Sequence, residues 1–90
     1  MKDLLLKDKD ELIHMIFLEH LRQVKKWGIQ DHTSFKWLAC LAEEVGELSE
    51  AILYCEHHND KELRENVVKE AIQIATLSLK IAEMFMHKEA

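Results

Sequence analysis

The last third of the chain is apolar on more sides than one packing partner can cover. Within it, apolar residues take up well over half of a helical circumference, namely Val67, Val68, Ala71, Ile72, Ile74, Ala75, Leu77, Leu79, Ile81, Ala82, Met84 and Phe85. A helix with so wide an apolar sector is buried on several sides. A chain of 90 residues has too little protein to do this alone, because small domains bury a small fraction of their surface. We therefore expect two copies to join helical hairpins into a four-helix core, as a homodimer or a dimer of dimers.

Two further helices precede this one, and the chain is predicted to be a single all-α domain over residues 1–90. With no proline, two glycines and 48% apolar residues, the composition favours long helices over strands. Apolar periodicity places the helices at roughly residues 9–27, 35–55 and 60–86. Because the connections are short, helices two and three are expected to form an antiparallel hairpin with helix one packed across it.

Polar residues before each helix predict where it begins. The expected caps are the pair Asp8 and Glu11 for helix one, one of Asp31, Thr33 and Ser34 for helix two, and the pair Asn59 and Glu62 for helix three. Gly28 is expected to end helix one, since glycine readily adopts the backbone conformation of a helix C-cap.

Charge and cysteine content exclude several classes of function. The net charge is −5 and the basic residues are scattered, so no nucleic acid polymer is expected as a partner. Cys40 and Cys55 lie about 22 Å apart along one predicted helix, too far for a disulfide, and reduced thiols favour a cytoplasmic location. The N-terminal MKDLLLKDKD has only three consecutive leucines before charged residues resume, which is too few for the apolar core of a signal peptide. No run of apolar residues is long enough to cross a membrane.

The segment LAEEVGELSEAI on helix two carries four glutamates within eight positions. On a helical wheel of roughly 100° per residue, the apolar stripe of this helix consists of Leu38, Leu41, Val45, Leu48 and Ile52. Glu44 and Glu47 lie together on one flank of that stripe, as residues i and i+3 do. Glu43 and Glu50 fall farther out, where glutamate is solvated.

Glu70 on helix three is the stronger indication of a site. It projects into the apolar sector, away from the polar strip formed by Lys69, Thr76, Lys80 and Glu83, and a carboxylate there is costly to bury unless it meets a cation or a metal. In an antiparallel hairpin, Glu44 and Glu47 can face Glu70 and Gln73. Such acids suit a hard cation, and Mg²⁺ in particular because it takes phosphate oxygens as its remaining ligands. The alternative is that these are surface glutamates paired with nearby lysines.

These residues resemble a known pattern. Glu44 and Glu47 in EVGE, followed by Glu70 on an apolar helix, resemble the paired motif of the MazG-like, all-α nucleoside triphosphate pyrophosphohydrolases, a superfamily that includes dimeric dUTPases and dCTP pyrophosphatases. The family pattern is Glu-x-x-Glu on one helix and Glu-x-x-Asp on the next. KKWGIQDHTSFKWLACLAEEVGELSEAI also resembles the family's lead-in, in which a tryptophan and a histidine precede the first motif. The resemblance covers about residues 24–82.

The resemblance implies hydrolysis between the α and β phosphates of a nucleoside triphosphate, giving the monophosphate and pyrophosphate. It implies Glu44, Glu47 and Glu70 as catalytic residues and, with Gln73, as the Mg²⁺ site. Gln73 stands where the family has aspartate, and its carbonyl can ligate Mg²⁺ but brings no charge. The alternative function is therefore a non-catalytic MazG-like module with a degraded metal site that senses nucleotides or mediates oligomerisation.

Trp27, His32 and Lys36 are candidate nucleotide-binding residues, because they lie where the lead-in resemblance places the nucleotide. An exposed tryptophan can stack on a base, a histidine can hydrogen-bond a base or a phosphate, and a lysine can attract phosphate. The alternative is that Trp27 closes the end of the core, His32 is a loop residue and Lys36 is solvated. Trp37 is expected in the core.

Overall fold

The computed structural model describes residues 6–88, which form three α-helices and contain no strand. Helix α1 spans Lys9–Trp27, α2 spans Ser34–His58 and α3 spans Lys61–Met86. The predicted all-α class and helix order are confirmed, although α2 continues one turn beyond the expected end at residue 55. The four-helix core formed by two copies stays a prediction. Residues 1–5, which begin the stretch used to exclude a signal peptide, lie outside the described range.

The α1–α2 connection begins and ends as the sequence indicates. Gly28 ends α1 with φ +74°, and its backbone N–H donates to the carbonyl of Val24. Thr33 is the cap of α2, since its Oγ1 accepts a hydrogen bond of 3.2 Å from the backbone N–H of Lys36.

Asp8 occupies the N-cap position of α1 but makes no side-chain capping bond. The expected capping pair at the first helix is therefore not formed.

The α2–α3 connection corrects one prediction. Asn59 ends α2 in the left-handed conformation, with φ 41° and ψ 57°, a region that asparagine tolerates better than most residues. Asp60 caps α3 instead, and its Oδ1 accepts a hydrogen bond of 2.9 Å from the backbone N–H of Leu63. The prediction of Asn59 as the cap of helix three was wrong by one residue, because Asn59 is needed to terminate the preceding helix.

Helix α3 is the central element of the fold. It packs against both α2 and α1, whereas within residues 6–88 no Cα atom of α1 lies within 8 Å of one in α2. The two-residue connection makes α2 and α3 an antiparallel hairpin. On the other side, Lys80 Nζ donates a hydrogen bond of 2.5 Å to Gln23 Oε1 of α1. The expected hairpin with helix one packed across it is therefore present.

The polar strip of α3 faces α1. Thr76 is only 2% exposed, and its hydroxyl donates a hydrogen bond of 2.8 Å to the carbonyl of Ile72. Lys80 is half-buried by its contact with Gln23. Helix α1 thus covers polar residues of α3, and part of the apolar circumference of α3 stays exposed. The remaining buried residues are Trp37, Ala51, Ile72 and Leu77, which confirms Trp37 as a core residue.

No helix among residues 6–88 has the length and apolar content that a bilayer crossing requires. Cys40 and Cys55 are both free and half-buried on α2, as expected from their separation.

The cap of α3 can be tested by substitution. Asp60→Ala removes the side-chain acceptor for the backbone N–H of Leu63, and we expect it to lower the free energy of unfolding by about 1 kcal/mol. Asp60→Asn keeps an acceptor and should stay within a few tenths of a kcal/mol of wild type. Urea unfolding followed by circular dichroism measures both, and an equal loss in the two variants would contradict side-chain capping.

Candidate metal centre

Three carboxylates meet between α2 and α3. Glu44 and Glu47 are one turn apart on α2, Glu70 comes from α3, and one oxygen of each lies within 4.8 Å of the others. The order of neighbours reverses along the two helices, with Glu47 next to Glu70 and Glu44 next to Gln73, as an antiparallel hairpin requires. The structure therefore brings together the acids that the sequence selected, and we refer to Glu44, Glu47 and Glu70 as the acid cluster. Their role as metal ligands stays a prediction.

The acid cluster is electrostatically unfavourable without a cation. Burial raises the pKa of Glu44, and the negative charges of Glu47 and Glu70 raise it further. Burial also raises the pKa of Glu70, as does the charge of Glu47, while Lys69 lowers it in part. Because each carboxylate disfavours ionisation of its neighbours, a divalent cation would relieve the repulsion. Hard cations prefer this set of oxygen donors.

Gln73 lies at the edge of the acid cluster as a hydrogen-bond donor. In the amide orientation that satisfies its neighbours, its nitrogen donates to Glu44 Oε2 at 3.2 Å and to Glu70 Oε2 at 3.1 Å. The amide thus bridges the two helices through their carboxylates. To ligate a metal, Gln73 would have to turn its carbonyl oxygen towards the cluster, whereas an aspartate would present an oxygen in either orientation.

Helix α1 supplies two further charged groups beside the cluster that the sequence analysis missed. Glu19, whose side chain is 10% exposed, accepts hydrogen bonds of 2.8 and 2.7 Å from Arg22 and one of 2.6 Å from Gln23. Its charge contributes to the raised pKa of Glu44 and of Glu70. Hydrogen bonding to Arg22 in turn lowers the pKa of Glu19 itself. Helix α1 therefore places a fourth carboxylate, already paired with a guanidinium, next to the cluster.

A pattern in the sequence could have identified Glu19. It lies three and four residues after Ile16 and Met15, both of which are half-buried. It therefore occupies the apolar sector of helix one, just as Glu70 occupies the apolar sector of helix three. Arg22 and Gln23 follow at the spacings i+3 and i+4, which allow local hydrogen bonds.

The predicted nucleotide-binding residues lie towards one end of the bundle. Trp27 is exposed at the end of α1, with Lys26 Nζ 4.6 Å and the Arg22 guanidinium 5.7 Å from the centre of its ring. His32 is half-buried and packs edge-on against Trp37 at 4.7 Å. Lys36 is exposed, eight residues before Glu44, which is about 12 Å along a helix.

Of these three candidates, the structure connects only Trp27 to the acid cluster. Arg22 lies between the Trp27 ring and Glu19. The charge of Glu19 in turn raises the pKa of Glu44 and Glu70 in the acid cluster. His32 and Lys36 lie at the same end of the bundle as Trp27 but have no such connection to the acid cluster. A cavity of about 620 Å³ lies at their end, between α1, the α1–α2 connection and α3. Its lining includes Phe17, Val24, Trp37, Leu79 and Met84, and a volume of this size can hold a small molecule.

Comparison with known proteins found no family model, no curated protein and no solved structure that matches the chain. The similarity to MazG-like enzymes thus stays a prediction carried by the motif residues themselves.

The electrostatics of the cluster predict an unusual pH dependence. Because the pKa of Glu44 is raised in the folded protein, the native state holds this proton more tightly than the unfolded chain, and stability without metal falls as pH rises through the raised value. Glu44→Gln should therefore raise the melting temperature of the metal-free protein at neutral pH. The gain should disappear as the wild-type carboxyl becomes protonated towards about pH 4.

Thermal melts in chelator across this pH range measure the effect. Glu50→Gln is the matched control, because Glu50 is exposed on the same helix and lies outside the acid cluster, so it should change the melting temperature little. A Glu44→Gln variant that is less stable than wild type at neutral pH would contradict repulsion within the cluster.

Proposed function

We propose that this protein is a Mg²⁺-dependent nucleoside triphosphate pyrophosphohydrolase. The reaction converts an NTP or dNTP and water into the corresponding monophosphate and pyrophosphate. The observation that carries the proposal is the meeting of three carboxylates from two helices within 4.8 Å. The resemblance of EVGE and Glu70 to the MazG-like motif assigns a reaction to this arrangement.

In this proposal Glu44, Glu47 and Glu70 hold the cation, and Gln73 adds a ligand by turning its carbonyl oxygen inwards. When bound, Mg²⁺ supplies neutralisation of the triphosphate charge and polarises the phosphorus under attack. A carboxylate of the cluster orients the attacking water and accepts its proton. The raised pKa of Glu44 and Glu70 belongs to the metal-free protein, and a bound cation would lower the pKa of both groups.

The nucleotide is proposed to lie along α1. The exposed ring of Trp27 can stack on a base, and the neighbouring Arg22 and Lys26 provide positive charge for phosphate. His32 and Lys36 are proposed contacts at the same end of the bundle. The cavity there includes Thr76 in its lining, about 9 Å along α3 from Glu70 at the rise of a helix. It therefore lies within reach of a ligand held at the cluster.

The proposed form is a homodimer or a dimer of dimers in the cytoplasm, with no nucleic acid polymer as a partner. Many large apolar side chains of the single chain are exposed, including Leu38, Leu53, Leu79 and Phe85. Association of copies would cover part of this surface.

One observation favours a second function. The Gln73 amide donates to Glu44 and Glu70 and so stabilises the acids without metal. A non-catalytic MazG-like module would gain from this arrangement, because it needs the packing of α2 on α3 but not a strong metal site. Such a module would sense nucleotides or mediate oligomerisation.

Pyrophosphate release from a panel of ribo- and deoxyribonucleoside triphosphates, with and without Mg²⁺, tests the enzyme. We expect Mg²⁺-dependent turnover that falls by at least about 100-fold in Glu47→Ala, since loss of a ligand should exceed the effect of losing an outer-shell partner. Glu50→Ala, an exposed glutamate on the same helix, is the matched control and should retain activity. Absence of turnover on the whole panel, together with no effect of Mg²⁺ on the melting temperature, would refute the enzyme.

Gln73→Asp separates the two functions. It removes the amide donor and adds a negative charge to those of the acid cluster and Glu19, so the metal-free protein should melt at a lower temperature than wild type. It also supplies a charged ligand, so Mg²⁺ affinity should rise. Calorimetric titration with Mg²⁺ and the pyrophosphate assay measure both effects. If Gln73→Asp is more active than wild type, the result supports an enzyme whose metal site is weakened by Gln73. If Gln73→Asp binds Mg²⁺ more tightly but neither it nor the wild type turns over substrate, the result supports the sensor.

A further inference from the structure

A chain of side-chain hydrogen bonds joins the polar strip of α3 to the surface of α1. Lys80 Nζ donates to Gln23 Oε1, and Gln23 Nε2 donates in turn to Glu19 Oε2 at 2.6 Å. Glu19 also accepts two hydrogen bonds from Arg22. We call these four residues the α1 network. None of them is among the proposed metal ligands, although the network lies beside the acid cluster.

Within the α1 network, Glu19 is enclosed by its neighbours and Arg22 is open to solvent. The side chain of Glu19 is 10% exposed, whereas that of Arg22 is 46% exposed. An ordinary ion pair on a helix surface has two exposed partners and contributes little to stability. Here three donors hold the carboxylate, and hydrogen bonding to Arg22 lowers its pKa. Glu19 is therefore an ionised group that is fixed in place.

The contact with Glu19 uses one edge of the Arg22 guanidinium and leaves another edge available. Nε donates to Glu19 Oε1 at 2.8 Å and Nη2 donates to Oε2 at 2.7 Å, which is the two-point geometry of an arginine–carboxylate pair. A guanidinium has five N–H donors, and among residues 6–88 the other three find no acceptor. These donors belong to the distal fork of Nη1 and Nη2, which can bind two oxygens of one phosphate group.

The Arg22 guanidinium is close enough to the acid cluster to interact with it. Hydrogen bonding to Glu19 raises the pKa of Arg22, and the negative charge of Glu44 raises it further. Arg22 also shares a groove between α1 and α3 with Lys69, the neighbour of Glu70 in sequence. A phosphate chain held at the cluster and extending towards α1 would therefore meet the Arg22 side chain.

We propose that Arg22 binds the phosphate chain of the substrate and that Glu19 is the positioning residue that holds the Arg22 guanidinium for this contact. The inference rests on the proposed function and deepens it. A flexible arginine loses rotational freedom when it binds phosphate, and this loss lowers affinity. Glu19 reduces the loss because it orders the guanidinium before the substrate arrives. Gln23 and Lys80 hold Glu19 in place from the side of α3.

Glu19 has two opposing effects on a phosphate that approaches Arg22. Its negative charge adds to that of the acid cluster and repels the phosphate, whereas its contact with Arg22 favours binding. Glu19→Ala removes both effects. Glu19→Gln also removes the charge, but it keeps a side chain of the same length whose carbonyl oxygen can still accept a hydrogen bond from Arg22. The difference between these two variants therefore measures positioning at equal charge.

Calorimetric titration of the full chain with inorganic triphosphate at saturating Mg²⁺ measures this difference without a nucleoside. Arg22→Met should weaken binding by at least about tenfold, because it removes charge-assisted hydrogen bonds to phosphate. Glu19→Ala should bind about two- to tenfold more weakly than Glu19→Gln, the range expected for ordering one flexible side chain. Lys25→Met is the matched control for the loss of one positive charge. Because Lys25 is exposed on the same helix, solvent and salt screen its charge, and the variant should bind as wild type does.

The same two Glu19 variants in an Arg22→Met background separate positioning from a purely structural role. If Glu19 acts through Arg22, the two variants should bind triphosphate equally well once Arg22 is absent. A difference that persists in this background shows that Glu19 acts on the fold and overturns the inference. Circular dichroism shows whether all variants keep their helices.

Equal binding by Glu19→Ala and Glu19→Gln with Arg22 intact, or wild-type affinity in Arg22→Met, also overturns the inference. A separate titration with Mg²⁺ alone distinguishes these failures from failure of the proposed function. If the wild type binds Mg²⁺, the proposed metal site is supported and only the roles of Arg22 and Glu19 are lost. If the wild type binds neither Mg²⁺ nor triphosphate, the metal site and the inference are both overturned.

Discussion

The fold depends on the need to cover α3 from several directions. One sector of this helix meets α2 through apolar residues and the carboxylate of Glu70. A second sector, which contains Thr76 and Lys80, meets α1 through a hydrogen bond to Gln23. A third sector, with Ala71, Ser78 and Ala82, is left exposed by the single chain. Each proposed property of the protein belongs to one of these sectors.

Placing three carboxylates beside a packed helix pair works against stability. Their burial and mutual repulsion raise the pKa of Glu44 and Glu70, and the fold offsets this only in part. Gln73 donates hydrogen bonds to two of the acids, whereas the charge of Glu19, which is paired with Arg22, adds to the repulsion. A chain selected for stability alone would replace such acids with apolar residues. Their presence between two helices is the feature on which the proposed metal site rests.

Periodicity predicted the helices and the meeting of the acids because both depend on the direction of a side chain around its own helix. Glu70 was identified in this way, and the structure brings it to Glu44 and Glu47. Periodicity does not say which neighbour covers a given sector. The strip containing Thr76 and Lys80 was therefore recognised as polar without its contact to α1, and Glu19 was missed. Likewise the Asn59 cap was misplaced because two adjacent polar residues share one connection, and only the backbone conformation shows which of them ends α2.

The relation between the site and the proposed interface follows from the alternation of sectors around α3. The direction of Glu70 lies roughly 100° from that of Ala71, so a residue of the acid cluster and a residue of the exposed sector of α3 are neighbours in sequence but project to different sides. In the proposed homodimer, a second copy that covers the exposed sector would neither contribute a ligand nor block access to the acids from the α1 side. It would hold α2 against α3 while the carboxylates repel each other, and so keep the cluster assembled before a cation arrives. In this arrangement, association and metal binding would stabilise the same helix pair from opposite sides.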